Sequence, residues 1–509
     1  MHVLPAIDLE KLPRDVDALL GVIADLHSQY STILDSLHAQ LAKLRRMHFG
    51  ASSEQLSGQA DLFSEKRELP VPPEARATIT YERARSKGRP KLPADLPRSR
   101  IDYDLSEQEK SEFERLTRIG EEVSETLDFT PAKLSVIEHV RAKYRCEKGG
   151  ESTIRVAAAE PSPIAKSNAS AGLLAHVLVS KYADGLPLNR QERIFKRHGL
   201  EISRATLCDW ALMSTELLER LLELLKLHVL RSPVVFGDDT TLDLILGGRG
   251  AVCTARLWAY VSAGAVRDAQ GNWRDYPKAA YFEFTETREA IHPSRFLAGY
   301  TGYLQADDYA GYHATFRTGR VIHVACWAHA RRRFYDIAKI QKPPGLAAEA
   351  LAFIGRLYEI ERRAKERPPD ERQAMRQAET VPLLSEFRRW LEGHYPTLLP
   401  QGPLGQAVSY VLSNWQALSR FTENGILAPD SNLVERAIRP IANGRKAWLF
   451  TASARGGRAA AAAFSLIETC KLNGVEPFAY LKDVLGRINS QRLDRLHELL
   501  PFNWKPLAA

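Results

Sequence analysis

Apolar positions near the start of the chain recur with the spacing of a helical seam. Leu19, Ile23, Leu26, Tyr30, Ile33, Leu37 and Leu44 fall on alternating steps of four and three, broken only at Gln40, and no proline lies between Arg14 and Met47. This predicts a leucine-rich coiled coil within residues 1–57, with an amphipathic helix lying on its own domain as the alternative. Over residues 58–100 the chain turns to proline, serine and charge, the composition of a linker. Its basic stretch Arg85-Ser-Lys-Gly-Arg-Pro-Lys91 reads as solvated linker or, alternatively, as an extended minor-groove arm. Residues 101–160 mix short strands, as over 134–144, with acidic helix-like sequence.

Residues 161–230 are helical by pattern. Positions 188–198 form an amphipathic helix, Gly199 permits a left-handed turn, and Ser203 can cap a second helix beginning at Arg204. That is the pattern of a helix-turn-helix, whose second helix would offer Ser203, Arg204 and Thr206 to a major groove. A plain helical hairpin is the alternative, against which stand Arg190, Arg193, Lys196 and Arg197 on the first helix.

After Pro233 the period shortens to that of strands. Residues 234–236 run into Asp238, Asp239 and Thr240; residues 256–262 and 280–285 alternate; residues 302–306 lead to Asp307; residues 321–325 precede a helix through Arg331, Arg332 and Arg333. Three antiparallel strands, a helix at 292–300, then further strands and helices predict a multidomain α/β protein with an RNase H-like core, assigned to 231–344 and 429–485. Residues 345–428 form a helical insertion that splits it, and 486–509 a C-terminal tail. Within the second half of the core, residues 430–439 open a helix that places Asn432, Glu435, Arg436 and Arg439 on one face.

Composition narrows the partner. Seventy Lys and Arg against 62 Asp and Glu give a net charge of +8, which favours nucleic acid without demanding it. The five cysteines have no paired spacing, which argues against a disulfide framework and for a reducing compartment. No secretory leader pattern and no run of 18 apolar residues is present, so a cytoplasmic, nucleoid-associated protein without membrane contact is expected.

The chemistry lies in the acids. A lone aspartate at a strand end is usually a turn former, but two such acids can converge across strands to meet Mg²⁺, which takes one or two carboxylates and leaves water and phosphate to fill its octahedron. Glu435 among guanidiniums suits a metal beside a phosphodiester; a surface salt-bridge ladder is the alternative. Cys326 and His329 could ligate a metal, but two ligands do not make a zinc site.

Six blocks in order resemble the transposases of the insertion-sequence sixty-six family, TnpC type. They are Arg46-Met-His-Phe-Gly-Ala-Ser-Ser-Glu54, Leu186-Pro-Leu-Asn-Arg-Gln191, Gln305-Ala-Asp-Asp-Tyr-Ala-Gly-Tyr312, Cys326-Trp-Ala-His-Ala-Arg-Arg332, Asn432-Leu-Val-Glu-Arg-Ala-Ile-Arg-Pro440 and Gly444-Arg-Lys-Ala-Trp-Leu-Phe450. The resemblance implies a DDE transposase that binds terminal repeats and cuts and joins strands by two-metal phosphoryl transfer. Asp238, Asp307 and Glu435 would hold Mg²⁺, for which Mn²⁺ would substitute, and Arg436, Arg439, Arg445 and Lys446 would hold DNA. Double-stranded DNA, as transposon ends and target, a second copy of the chain and small accessory proteins of the element are the implied partners.

Three departures qualify that. The family's two Cys-x-x-Cys pairs are absent from residues 101–160, where only Cys146 remains, so no structural zinc is expected; Asp239 and Asp308 stand where Glu and Gly are usual. A catalytically silent DNA-binding protein and a host-type RNase H-like nuclease are the competing readings.

Overall fold

The computed structural model describes residues 162–506 apart from 247–250 and 342, together with 135–139, 143–148, 151–156 and five residues between 15 and 21. The chain divides into two units, one of residues 1–54 and 141–509, the other of residues 55–140. All seven positions of the expected coiled-coil seam, and the linker, lie outside the described residues. Residues 135–139 carry no regular structure, so the strand expected over 134–144 is found only at its end, where Lys143 and Tyr144 belong to a strand. In the first unit β1 (Lys143–Lys148) pairs antiparallel with β2 (Glu151–Val156).

Four helices follow: α1 (Ala171–Tyr182), α2 (Leu188–Arg197), α3 (Arg204–Leu217) and α4 (Glu219–Leu230). Helix α2 buries Leu188, Gln191 and Phe195, spaced three and four apart, and exposes Arg190, Arg193, Lys196 and Arg197. The cost of burying Gln191 is offset in part, because its Nε2 donates to the carbonyls of Val177 and Leu186, at 3.2 and 3.1 Å, while its Oε1 is buried without a partner. The turn after α2 depends on Gly199 at φ +80°. Ser203 then caps α3, its hydroxyl accepting from Thr206 N at 3.1 Å.

The sheet runs β7-β4-β3-β8-β9. Long β3 (Val234–Leu246) and β4 (Ala251–Ala263) form an antiparallel ladder from Val234 opposite Ala263 to Leu246 opposite Ala251. A small hairpin of β5 (Ala265–Arg267) and β6 (Trp273–Asp275) precedes β7 (Ala280–Thr285), antiparallel to β4. After α5 (Ile291–Phe296), β8 (Gly302–Gln305) lies parallel to β3, and β9 (Val321–Val324) parallel to β8. Asp238 thus sits inside a strand and not at its end, contrary to the sequence reading. Asp and Thr resemble a turn, yet Thr240, Leu242 and Leu244 are alternately buried, and that period of two carries β3 onward.

Beyond α6 (Trp327–Ala338) come the helices of residues 345–428: α7 (Leu346–Ala364), α8 (Pro369–Met375), α9 (Val381–His394) and α10 (Pro403–Ser413). A single π-helical stretch, Arg376–Thr380, joins α8 to α9 and aims Arg376 inward, where it is 1% exposed. All five of its N–H groups are used: two go to the Glu361 carboxylate and the others to the carbonyls of Phe421, Asn424 and Leu427. The chain then returns to the sheet through α11 (Asn432–Trp448), β10 (Phe450–Thr451) beside β3, α12 (Ala454–Leu472) and α13 (Pro477–Arg487).

Strand β7 is an edge, and α12 runs along it. The hydroxyls of Ser465 and Thr469 accept from Phe282 N and Ala280 N at 2.8 and 2.9 Å, closing N–H groups that an edge would leave open. Thr469→Val should therefore cost about 1–3 kcal/mol, the penalty of an unsatisfied buried donor, although it keeps the side chain's shape. Urea titration would measure it, and an unchanged midpoint would show that the hydroxyl does not close the edge.

Candidate active site

Two acids meet through strand register. Phe236 of β3 is paired with Gln305 of β8, and two residues farther along each chain stand Asp238 and Asp307, so both side chains leave the same face of the sheet. Their ionisation is mutually unfavourable. Burial first, and then the charge of Asp307, push the Asp238 carboxyl up to about 7. Burial likewise raises Asp307, while the charge of His329 opposes the shift. Two carboxylates so placed are stabilised by a cation, which makes the pair a fitting seat for a divalent ion. Nearby, the hydroxyl of Tyr312 is buried with no hydrogen-bond partner, and the charges of both acids act on it.

The neighbouring acids are turned to other work. Asp239 accepts from Arg256 at 3.0 Å and from Arg288 at 2.8 and 3.1 Å, and its side chain is only 5% exposed. Asp308 is exposed, accepting from Asn414 Nδ2 at 3.1 Å with His313 Nε2 3.4 Å away.

The third expected acid, Glu435, lies in the first turn of α11. The segment before it is fastened at three points. Buried Gln305 donates to the carbonyls of Ala428 and Asp430 at 2.7 and 3.0 Å, Trp327 N donates to the Pro429 carbonyl at 3.0 Å, and Ser431 N donates to Cys326 Sγ at 3.2 Å. Gln305, two residues before the second acid, thus helps set the entry to the helix of the third. Glu435 Oε1 stands 3.9 Å from His329 Nε2, and His329 also acts electrostatically on Asp238 and Asp307. It is the neighbour common to all three acids. Among the described residues the ligand atoms of Cys326, His329 and Glu435 gather within 4.8 Å, a group that does not include Asp238 or Asp307. Burial pushes the Cys326 thiol up to about 12.

A cavity of about 360 Å³ opens beside Asp307, lined by Asp308, His329, Arg332, Arg333, Asp336 and Tyr410. Arg333 stacks on Tyr410 of α10, 4.0 Å from the ring centroid, so the helical insertion supplies one wall. Arg436, Arg439 and Lys446 are exposed along α11. Arg445, on the same helix, instead turns to β3 and donates to Thr240 Oγ1 and to the Thr241 carbonyl at 3.1 and 2.8 Å. On α3, Arg204 is exposed while its backbone N–H donates to Glu192 Oε1 at 2.9 Å, and the hydroxyls of Ser203 and Thr206 lie 2.9 Å apart.

Sequence reasoning passed over Gln305, Arg256 and Arg288 as functional neighbours. An amide inside an apolar strand was a readable signal for Gln305. Arg256 required the β3–β4 register, which sets it opposite Thr241, and Arg288 lies between elements with no periodicity to mark it.

The model of the Transposase IS66 family matches residues 166–459, more than half of the chain and all of the geometry just described. The chain belongs to the IS66 transposase family. The IS66 C-terminal element matches residues 465–502, and the Transposase C of IS166 homeodomain matches residues 36–101. Three proteins of Sinorhizobium fredii, each described as uncharacterized, are similar: y4jD is 33% identical over 97% of this chain and 98% of its own length. For y4hP the identity is 34% over 78% and 73%, and for y4qI 35% over 76% and 72%. IS66 transposase domains imply transposition and DNA as a partner. Among the described residues no helix is long and apolar enough to cross a membrane.

One expectation is overturned. The zinc-finger binding domain of transposase IS66 matches residues 111–148, against the expectation of no structural zinc. That expectation rests on counting cysteines, whereas the family match spans the whole segment. Its matched segment ends in β1, and, outside that segment, Cys326, His329 and Glu435 form a gathering of zinc-type donors among the described residues.

Proposed function

We propose that the chain binds the terminal repeats of an insertion sequence and performs divalent-metal-dependent strand cleavage and strand transfer, with Asp238, Asp307 and Glu435 as the acids of an RNase H-like core. The carrying observation is that Asp238 in β3 and Asp307 just past the end of β8 each follow the paired residues Phe236 and Gln305 by two, and that the charge of Asp307 acts on Asp238. An order of three antiparallel strands followed by two parallel ones supports the fold reading. Divalent ions held by the acids would supply an activated water or 3′-hydroxyl and stabilise the departing oxygen. Arg436, Arg439 and Lys446 neutralise phosphates of the DNA end, and Arg332 and Arg333 do so at the mouth of the cavity beside Asp307. Arg445 fixes α11 to β3, and so acts on the DNA through the position of its neighbours. Residues 171–230 read the terminal repeat through Arg204, Ser203 and Thr206, with the basic face of α2 on the backbone. Two such ends are brought together by a homo-oligomer, and accessory proteins of the element complete the reaction.

The test is joining of a labelled end, taken from the flank of the chain's own gene, to a plasmid in the presence of Mg²⁺. Ion-dependent joined product is expected; ion-independent product would contradict the metal-dependent chemistry, and end binding with no product over wide protein and ion ranges would favour a silent DNA-binding protein. A companion result concerns recognition. Arg204→Ala with Thr206→Ala should weaken specific end binding by roughly 1–3 kcal/mol per lost base contact while leaving metal binding unchanged. Equal losses for specific and random DNA would contradict the base-reading role.

A further inference from the structure

Cys326 and His329 sit three residues apart where α6 begins, and Glu435 sits in the first turn of α11. Two helix N-termini thereby bring a thiol, an imidazole and a carboxylate together, their ligand atoms within 4.8 Å. Further details accompany the arrangement. His329 Nδ1 is buried without a hydrogen-bond partner, a polar atom left for something else to satisfy. Ser431 N donates to Cys326 Sγ, the outer contact that steadies a metal-bound thiolate. His329 also lines the cavity beside Asp307, which leaves a solvent path to the group.

We propose that Cys326, His329 and Glu435 bind one borderline divalent ion of the Zn²⁺ class, with a coordination position open toward the cavity. Sulfur and imidazole nitrogen select against Mg²⁺, whereas Asp238 and Asp307 offer oxygen alone and select for it. The two sites therefore differ in the ions they accept. Glu435 belongs to both the proposed triad and this group, so an ion here fixes the carboxylate and the start of α11 against α6. The inference rests on the proposed function only for its catalytic consequence; the binding rests on the donor set.

Co²⁺ is the probe, because a Co²⁺–thiolate bond absorbs where Co²⁺ bound to oxygen and nitrogen alone does not. The full chain is titrated with Co²⁺, and the spectrum of Cys326→Ser is subtracted so that signal from residues 111–148 cancels. A thiolate charge-transfer band in the difference is expected. The His329→Ala variant should bind Zn²⁺ more weakly by over the roughly 10–100-fold that loss of an outer-shell partner costs, and should retain less zinc per chain after dialysis. A featureless difference spectrum, or equal zinc content in wild type and His329→Ala, overturns the site. Should Cys326→Ser fail to fold, the His329→Ala comparison decides alone, since that side chain is partly exposed. Loss of zinc with Mg²⁺-dependent joining intact would leave the site standing and remove its catalytic consequence; loss of joining by Asp307→Asn speaks only to the triad.

Discussion

Asp238→Asn is expected to raise the thermal midpoint of the metal-free protein and to lower Mg²⁺-dependent strand transfer by several orders of magnitude. The two effects share one cause. Burial and the adjacent Asp307 make the Asp238 charge unfavourable, and that is the charge a cation would need. Because the folded carboxyl holds its proton more tightly than an unfolded one, the folded state binds more protons between about pH 4 and about pH 7. Its contribution to stability is therefore greatest below about pH 4 and declines as pH rises to about 7. An amide escapes that decline, so the gain in midpoint should be larger at pH 8 than at pH 4. Divalent ions should reverse it, stabilising the wild type more than the variant. A midpoint lowered equally at both pH values would contradict the electrostatic account of this pair.

The largest loss of stability is expected at Arg376, in the helical insertion. Arg376→Met leaves the Glu361 carboxylate buried and strips donors from three carbonyls between Phe421 and Leu427, so it should cost about 3–5 kcal/mol. Those carbonyls precede the segment stapled by Gln305, Trp327 and Cys326, so joining should fall as well. Adding Glu361→Leu should restore most of the stability, because a well-packed apolar pair replaces a desolvated ionic one. Chemical denaturation measures both variants. A single variant within about 1 kcal/mol of wild type would show that the guanidinium is not the insertion's clamp.

Local rules made much of this fold readable. The Gly199 turn, the Ser203 cap and the strand over Ala280–Thr285 depend on neighbours within a few residues, and sequence carries such information directly. Register is different. Nothing local says that Phe236 pairs with Gln305, so the acids could be named from motif and strand but their alignment could not be derived. Length failed for a related reason: Asp238, Asp239 and Thr240 look like a turn until β4 supplies thirteen paired partners. Arg445 shows the limit for charges. Its place between exposed Lys446 and buried Gly444 gave no hint that it faces Thr240 and Thr241. The joint neighbourhood of Cys326, His329 and Glu435 spans more than a hundred residues of chain and became visible only in three dimensions.

Asp307 and Asp308 are adjacent and chemically identical, and the proposed triad gives them opposite fates. Asp307 shares a face with Asp238, while Asp308 is exposed and bonded to Asn414. The decisive measurement is the rate of Mg²⁺-dependent joining of a labelled terminal-repeat DNA to plasmid by Asp307→Asn and by Asp308→Asn, side by side with wild type. The account predicts a fall of several orders of magnitude for the first, with end binding intact, and little change for the second. Joining that survives Asp307→Asn, or falls equally in both variants, would contradict it.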